Sequence, residues 1–230
     1  MAKHIGIVAV SAEGAALCYR TICAEGATVL GRYNHPEITM HTFPFSEHVR
    51  YIEAGRWDEV GSLLLASARR LAGAGADFLI CPDNTVHQAL DAIVQLSPLP
   101  WLHIAEEVAA VAMQRGYRRV GVLGTRFLME GPVYATKLAA LGVAAEIPDP
   151  ADRAHINDAI FNDLVYGRFE TPTRSYFRHV IEQLKQRGCD AVVLGCTEIP
   201  LLISEADSPL PTLDSTRILA RAALRHATTV

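Results

Sequence analysis

The sequence predicts an α/β fold made of two similar parallel-sheet halves. Three observations carry this reading. Short, wholly apolar strands alternate with helical patterns along the chain. Two separate elements recur at a nearly constant offset. The 230 residues, half of them hydrophobic and a fifth charged, suffice for a substantial buried core.

The apolar runs at residues 5–10, 78–81, 120–123 and 191–194 are short, and each ends at a turn or polar cluster. Such runs suit strands covered on both faces of a parallel sheet, where no alternation with polar residues is needed. Between them lie helical patterns. In 57–73, Val60, Leu63, Leu64, Ala68 and Leu71 fall on one helical face and Gly73 can close the helix. In 176–188, Phe177, Val180, Ile181 and Leu184 do the same, ending at Gly188. The β-α-β-α order implies a parallel sheet.

The repeat gives the halves. Gly75, Asp77, the strand 78–81 and the turn from Asp83 can be laid on Gly188, Asp190, the strand 191–194 and the turn from Cys196, an offset of 113 residues. Ile5-Gly6-Ile7-Val8 lies on Val120-Gly121-Val122-Leu123 at an offset of 115. Two homologous halves follow, 1–105 with 208–230 and 106–207, related by a pseudo-twofold axis. No low-complexity linker separates them. Asp83 then corresponds to Cys196, each just past the carboxyl end of its strand, where open α/β sheets bind ligands. Two such loops facing one small molecule would supply what a stereoinverting enzyme requires. One group removes a proton from one face and another delivers it to the opposite face.

Composition narrows the function. Twenty-one basic against 25 acidic side chains give a net charge of −4 with no basic stripe, so no nucleic acid or anionic membrane is expected as a partner. No apolar run reaches membrane-spanning length, and the start enters a strand without a signal-peptide pattern, so a cytoplasmic location is expected. Five cysteines, Cys18, Cys23, Cys81, Cys189 and Cys196, form no disulfide framework and no Cys-x-x-Cys pair. His35, His41 and His48 lie six and seven residues apart, which fits no common zinc spacing, so no metal is expected.

The candidate chemistry sits in the two turns. Cys196 lies in a Gly-Cys-Thr turn expected to open a helix, whose N–H groups and dipole favour a thiolate. A thiol with an ordinary pKa of about 8.5 is a serviceable carbon base near neutrality. A buried, inert cysteine is the plain structural alternative. Asp83 at an ordinary pKa of about 4 is a weak carbon base unless its surroundings raise it. The alternative is a turn-capping aspartate. Asn84, Thr85 and Thr197 offer donors at two helix starts, a seat for a substrate carboxylate. Ser11 and Thr125 end the paired strands and either join that seat or cap helices. His87 and Glu198, within a turn of the reactive positions, are expected to orient them. Cys18, Cys23 and Cys189 read as core packing.

Gly195-Cys196-Thr197-Glu198-Ile199-Pro200 resembles the Gly-Cys-Thr-Glu signature of the aspartate/glutamate racemase family. Asp83-Asn84-Thr85-Val86-His87 is similar to its other signature, Cys-Asn-Thr-x-His. Leu102-His103-Ile104-Ala105, the segment Gly124-Thr125-Arg126 with Met129, Glu130 and Tyr134, and Arg153-Ala154-His155-Ile156-Asn157 also resemble the family, over about residues 4–215. The resemblance implies flavodoxin-like halves with the active site between them and a homodimer. It also implies two cysteines, one per half, on opposite faces of Cα, and no pyridoxal phosphate or other cofactor. The substrate implied is a small carboxylate-bearing molecule, an amino acid.

The chain departs from the pattern at three places. The first cysteine is Asp83, the N-terminal loop reads Ala9-Val10-Ser11-Ala12-Glu13 in place of a glycine pair, and His155 stands where the family often carries a lysine toward a side-chain carboxylate. An amino-acid racemase or epimerase using Cys196 and Asp83 is the leading expectation. A single-cysteine decarboxylase of the arylmalonate decarboxylase type and a non-catalytic binding protein on the same scaffold are the alternatives.

Overall fold

The computed structural model describes residues 2–229. The first part of the chain runs β1 (Ile5–Ala9), α1 (Ala12–Leu30), β2 (Ile38–Thr42), α2 (Phe45–Glu53), α3 (Trp57–Gly73), β3 (Phe78–Ile80), α4 (His87–Ile93) and β4 (Trp101–Leu102). There follow α5 (Ile104–Gln114), β5 (Arg119–Leu123), α6 (Arg126–Glu130), α7 (Pro132–Ala139), β6 (Ala144–Glu146), α8 (Pro150–Asn162), α9 (Thr171–Gln186), β7 (Ala191–Leu194), α10 (Ile199–Leu202), β8 (Thr212–Asp214) and α11 (Ser215–Thr228). None of the described helices is long and apolar enough to cross a membrane.

The strands form two all-parallel four-stranded sheets, ordered β2-β1-β3-β4 and β6-β5-β7-β8. The order is the same in each, so every strand of the first sheet has a counterpart in the second. The register matches as well. Gly6 pairs with Leu79 between β1 and β3, and Gly121 with Val192 between β5 and β7. These pairs stand at the offsets of 115 and 113 residues that the sequence repeat shows.

The Gly-x-Asp signal has a physical basis in both sheets. Gly75 and Gly188, at φ +91° and +84°, turn the chain out of the preceding helix in a conformation that favours glycine. Two residues on, an aspartate side chain accepts from the main chain that begins the neighbouring strand. Asp77 Oδ2 takes the His4 N–H at 2.7 Å, and Asp190 Oδ2 takes those of Arg118 and Arg119 at 2.7 and 3.0 Å. These donors hold the Asp190 carboxyl below its ordinary pKa.

The contacts divide the chain into two compact units, residues 1–104 with 216–230, and 105–215. The sequence reading returned the chain to the first half at residue 208. The structure moves that crossing later, because β8 pairs with β7 in the second sheet.

Each unit has its own core. In the first, Ile5, Ile7, Phe78 and Ile80 pack with Cys18 and Ile22 of α1 and with Leu219, Ala220 and Ala223 of α11. In the second, Phe177, Val180, Ile181 and Leu184 of α9 are fully buried against Leu123, Val192 and Leu194. Burying each such side chain contributes about 1.5–3 kcal/mol.

Candidate active site

In the second unit the site is built at the end of β7. The Gly195 N–H donates to the Leu123 carbonyl at 2.8 Å, so the ends of β5 and β7 stay together one residue beyond their ladder. A Cβ at Gly195 would stand 2.6 Å from Leu128 Cδ2 and 2.7 Å from that Leu123 oxygen. Only glycine fits there, and its backbone aims the next residue, Cys196, out of the sheet end.

The Cys196 thiol donates to Glu198 Oε2 at 2.9 Å, and the Thr197 hydroxyl donates to the same oxygen at 2.8 Å. Glu198 is 2% exposed. A buried carboxylate thus gathers the two polar side chains before it. The sequence reading placed Cys196 at the start of a helix and expected Glu198 to orient it. The structure moves the helix start. The following helix, α10, is a single four-residue turn that begins only at Ile199, with the Ile199 N–H on the Cys196 carbonyl at 3.1 Å. So short a helix supplies little dipole. Arg174 of α9 anchors the turn from outside by donating to the Leu202 carbonyl at 2.8 Å.

Below the turn lies Tyr134 of α7, 1% exposed. It is hydrogen-bonded to Ser215, whose hydroxyl donates to the Leu194 carbonyl at 2.9 Å. Burial pushes the Tyr134 phenol well above its ordinary pKa, so it stays neutral. The segment containing Tyr134 was part of the family resemblance, but nothing in the sequence pointed to its role beneath the Cys196 turn. Ser215 and Asn157, whose Oδ1 accepts from the Arg126 N–H at 3.0 Å, gave no signal of their positions either.

In the first unit the matching turn follows β3. Asn84 and Thr85 are buried at 2% and 7% exposure. They form a turn before α4, with the His87 N–H on the Asn84 carbonyl and the Gln88 N–H on that of Thr85, both at 3.2 Å. The helix proper starts two residues later than the sequence suggested, at His87. His87 lies inside the unit: its Nε2 is 3.0 Å from the Cys81 carbonyl, and its ring meets His103 edge-on with centroids 4.4 Å apart. It braces the strand end that carries Asp83. Cys81, 1% exposed, is no substitute for a cysteine at 83, because burial and then the Asp83 charge push its thiol well above the ordinary range.

One pattern is common to the two turns. Pro82 and Asn84 are buried, and Asp83 between them is partly open. Gly195 and Thr197 are buried, and Cys196 between them is partly open. Each unit therefore presents one of the two candidate proton-transfer side chains at the same place in its fold.

Ser11 and Thr125 cap α1 and α6, their hydroxyls accepting from the N–H groups of Gly14 at 3.4 Å and Leu128 at 3.3 Å. His155 is exposed on α8, its ring 3.9 Å from that of Tyr176. The two line an open groove of about 440 Å³ with Asp158, Asn162, Asp163 and Thr173, and Cys196 is not among its walls. Cys18 and Cys189 are buried in the cores, whereas Cys23 is only half-buried. Among the described residues no group of three or more His, Cys, Asp or Glu could hold a metal ion.

Comparison with known proteins agrees with this architecture. The model of the Asp/Glu/Hydantoin racemase family matches residues 5–223. A Bacillus subtilis protein described as a broad-specificity amino-acid racemase is 26% identical over 169 residues, covering 71% of this chain and 70% of its own. The structure of a candidate Asp/Glu racemase from Yersinia pestis is 33% identical with a TM-score of 0.90, over 99% of this chain and all of that one. An aspartate racemase homologue from Pyrococcus horikoshii is 27% identical with a TM-score of 0.83, over the same shares. With the family model spanning nearly its whole length, the chain belongs to the Asp/Glu/Hydantoin racemase family.

Proposed function

We propose that this protein is an amino-acid racemase or epimerase that works without pyridoxal phosphate or metal, with Cys196 and Asp83 as its proton-transfer groups. The observation that carries the reading is the matched pair of turns, each with one partly open reactive side chain set between buried neighbours. The family and the Bacillus subtilis relative's description as a broad-specificity amino-acid racemase support the reaction class.

In this reading one group takes the α-proton while the other delivers a proton to the opposite face of the planar intermediate. The charge that develops is an enediolate on the substrate carboxylate. Donors held rigidly before the reaction stabilise such charge more effectively than mobile water. Asn84, Thr85 and the backbone N–H of Thr197, in buried turns, are those donors, and an anion seat at such turns is a general use of backbone N–H groups. The protein works as a homodimer, which light scattering on the purified chain measures.

Asp83 makes the two directions chemically unequal, since a carboxylate serves one face and a thiol the other. It also disfavours the decarboxylase alternative, because an ionised Asp83 would repel the second carboxylate of a malonate-type substrate. The side chain accepted is not restricted to acidic residues. His155, the position that would contact a side-chain carboxylate, lies on the open groove with Tyr176. The test is a panel of single enantiomers, acidic, basic and neutral, followed by chiral chromatography. Inversion of at least one amino acid is expected. Inversion of none, with CO2 released from malonates, would replace the reading with the decarboxylase.

A further inference from the structure

We infer that Ser215 is a positioning residue for Cys196, acting through the Leu194 carbonyl, and that Tyr134 holds Ser215 in place. The inference rests on the proposed role of Cys196 and deepens it, because it assigns what fixes that side chain at the sheet end.

Leu194 ends β7, two residues before Cys196, and its carbonyl accepts the hydroxyl of the fully buried Ser215 at 2.9 Å. A hydroxyl has one proton to give. Ser215 spends it on Leu194, so its oxygen is the acceptor toward Tyr134 and the buried, neutral phenol donates. The Tyr134 ring does a second job. A Cβ at Gly195 would stand 3.6 Å from Tyr134 Cε2, an ordinary contact distance, so the ring lies against the residue that precedes Cys196. Leu194 is thus held by a hydrogen bond and Gly195 by a ring, and the two together set where Cys196 leaves the sheet.

In one half alone, this would read as a buried serine satisfying its own hydroxyl. The first half contains the same device made from unrelated residues. The Cys81 carbonyl, two residues before Asp83, lies 3.0 Å from His87 Nε2. A carbonyl can only accept, so that nitrogen carries the proton. The His87 ring in turn meets a second buried ring, His103. Cys81 and Leu194 correspond in the 113-residue repeat. Their donors do not: His87 opens the helix just beyond its own turn, whereas Ser215 comes from the far end of β8. The same carbonyl is therefore secured twice by different means, which points to a requirement of the reactive position. A misplacement of about 1 Å at a reacting group can cost on the order of 10²-fold in rate.

The experiment compares wild type, Ser215→Ala, Ser215→Thr and Tyr134→Phe. Iodoacetamide alkylation of the native proteins is read at each cysteine by peptide mass spectrometry, beside kcat and KM from chiral chromatography. Freeing the turn is a local event, so Ser215→Ala is expected to raise the Cys196 alkylation rate about threefold or more while the buried Cys18, Cys81 and Cys189 stay protected. The same variant should lower kcat about tenfold or more with KM within about twofold. Ser215→Thr keeps the hydroxyl and should restore most of both properties. Tyr134→Phe keeps the ring and removes only its hydroxyl, and should shift both in the direction of Ser215→Ala by a smaller factor. Wild-type alkylation and kcat in Ser215→Ala, or a rise shared by all the buried cysteines, would overturn the inference. If Ser215→Ala does not fold, Tyr134→Phe decides by the same two readings. Selective release of Cys196 in a protein that inverts no amino acid would support the brace and remove only the racemase reading.

Discussion

The Cys196 thiol donates to a buried Glu198 carboxylate 2.9 Å away, held there from the other side by Thr197. A cysteine so placed is held in one orientation by a polar neighbour, unlike a packing cysteine such as Cys189. Burial, and then Glu146, push the Cys189 thiol up to about 11, so at neutral pH it is inert.

Removing the thiol should therefore remove the reaction and leave the fold. Cys196→Ala is expected to lower kcat by about 10³-fold or more, within the range that a positioned acid or base contributes. Cys196→Ser should be nearly as inactive, since a hydroxyl is far less acidic than a thiol. Both should keep the wild-type circular dichroism spectrum. Near-native turnover in either, measured by chiral chromatography, would dismiss Cys196 as the proton-transfer group.

Asp83 separates chemistry from capping. Asp83→Asn keeps a turn-forming side chain and loses the carboxylate, so kcat should fall by about 10²-fold or more while stability barely changes. Asp83→Cys restores a thiol in each half and should retain more activity than the amide. Turnover of Asp83→Asn within a few-fold of wild type would reduce the residue to a cap.

Gly195 is a geometric requirement. A methyl group there meets Leu128 and the Leu123 carbonyl at 2.6 and 2.7 Å, and the carbonyl belongs to a strand that cannot yield freely. Gly195→Ala is expected to cost about 1–3 kcal/mol in urea unfolding and to lower kcat by displacing Cys196. Unchanged stability and activity would show that the turn has room the structure does not display.

A buried histidine sets an acid limit on stability. His48 of α2 is 1% exposed, its Nδ1 has no hydrogen-bond partner among the described residues, and burial lowers its pKa from 6.5 to about 4. The unfolded chain binds this proton more readily than the folded one, so the neutral ring favours folding above pH 6.5 and that benefit is lost as pH falls from 6.5 toward 4. Unfolding free energy should drop by about 2 kcal/mol between pH 7.5 and pH 5 from this group. His48→Leu should flatten that part of the profile. An equal drop in the variant would assign the acid sensitivity to other groups.

Much of this architecture is legible in the sequence because parallel sheets leave a plain mark. Strands such as residues 191–194, covered on both faces, read as unbroken apolar runs, and the Gly-x-Asp pairs at 75–77 and 188–190 mark where each begins. The outer strands were not legible. Residues 144–146 and 212–214 are three residues long, and Ile38–Thr42 is half-exposed with Met40 open to solvent, so none carries a distinguishing period. The turns beyond β3 and β7 were legible from their residue types. Their internal wiring was not, because a glutamate two residues after a cysteine reaches back to it only in a turn, and a helix there would have pointed it away. The place of Tyr134 beneath Gly195 depends on a long-range approach of α7 that no local pattern records.

The central claim is proton transfer at the α-carbon by Cys196 with Asp83, and hydrogen exchange at that carbon reads it most directly. Single enantiomers of a broad set of amino acids are incubated in D2O with the wild type, Cys196→Ala and Asp83→Asn, and deuterium at Cα is followed by NMR. The account predicts Cα deuteration in at least one amino acid with the wild type, and its loss in both variants. Absence of Cα exchange across the set with the wild type, or wild-type exchange rates in Cys196→Ala, would contradict it.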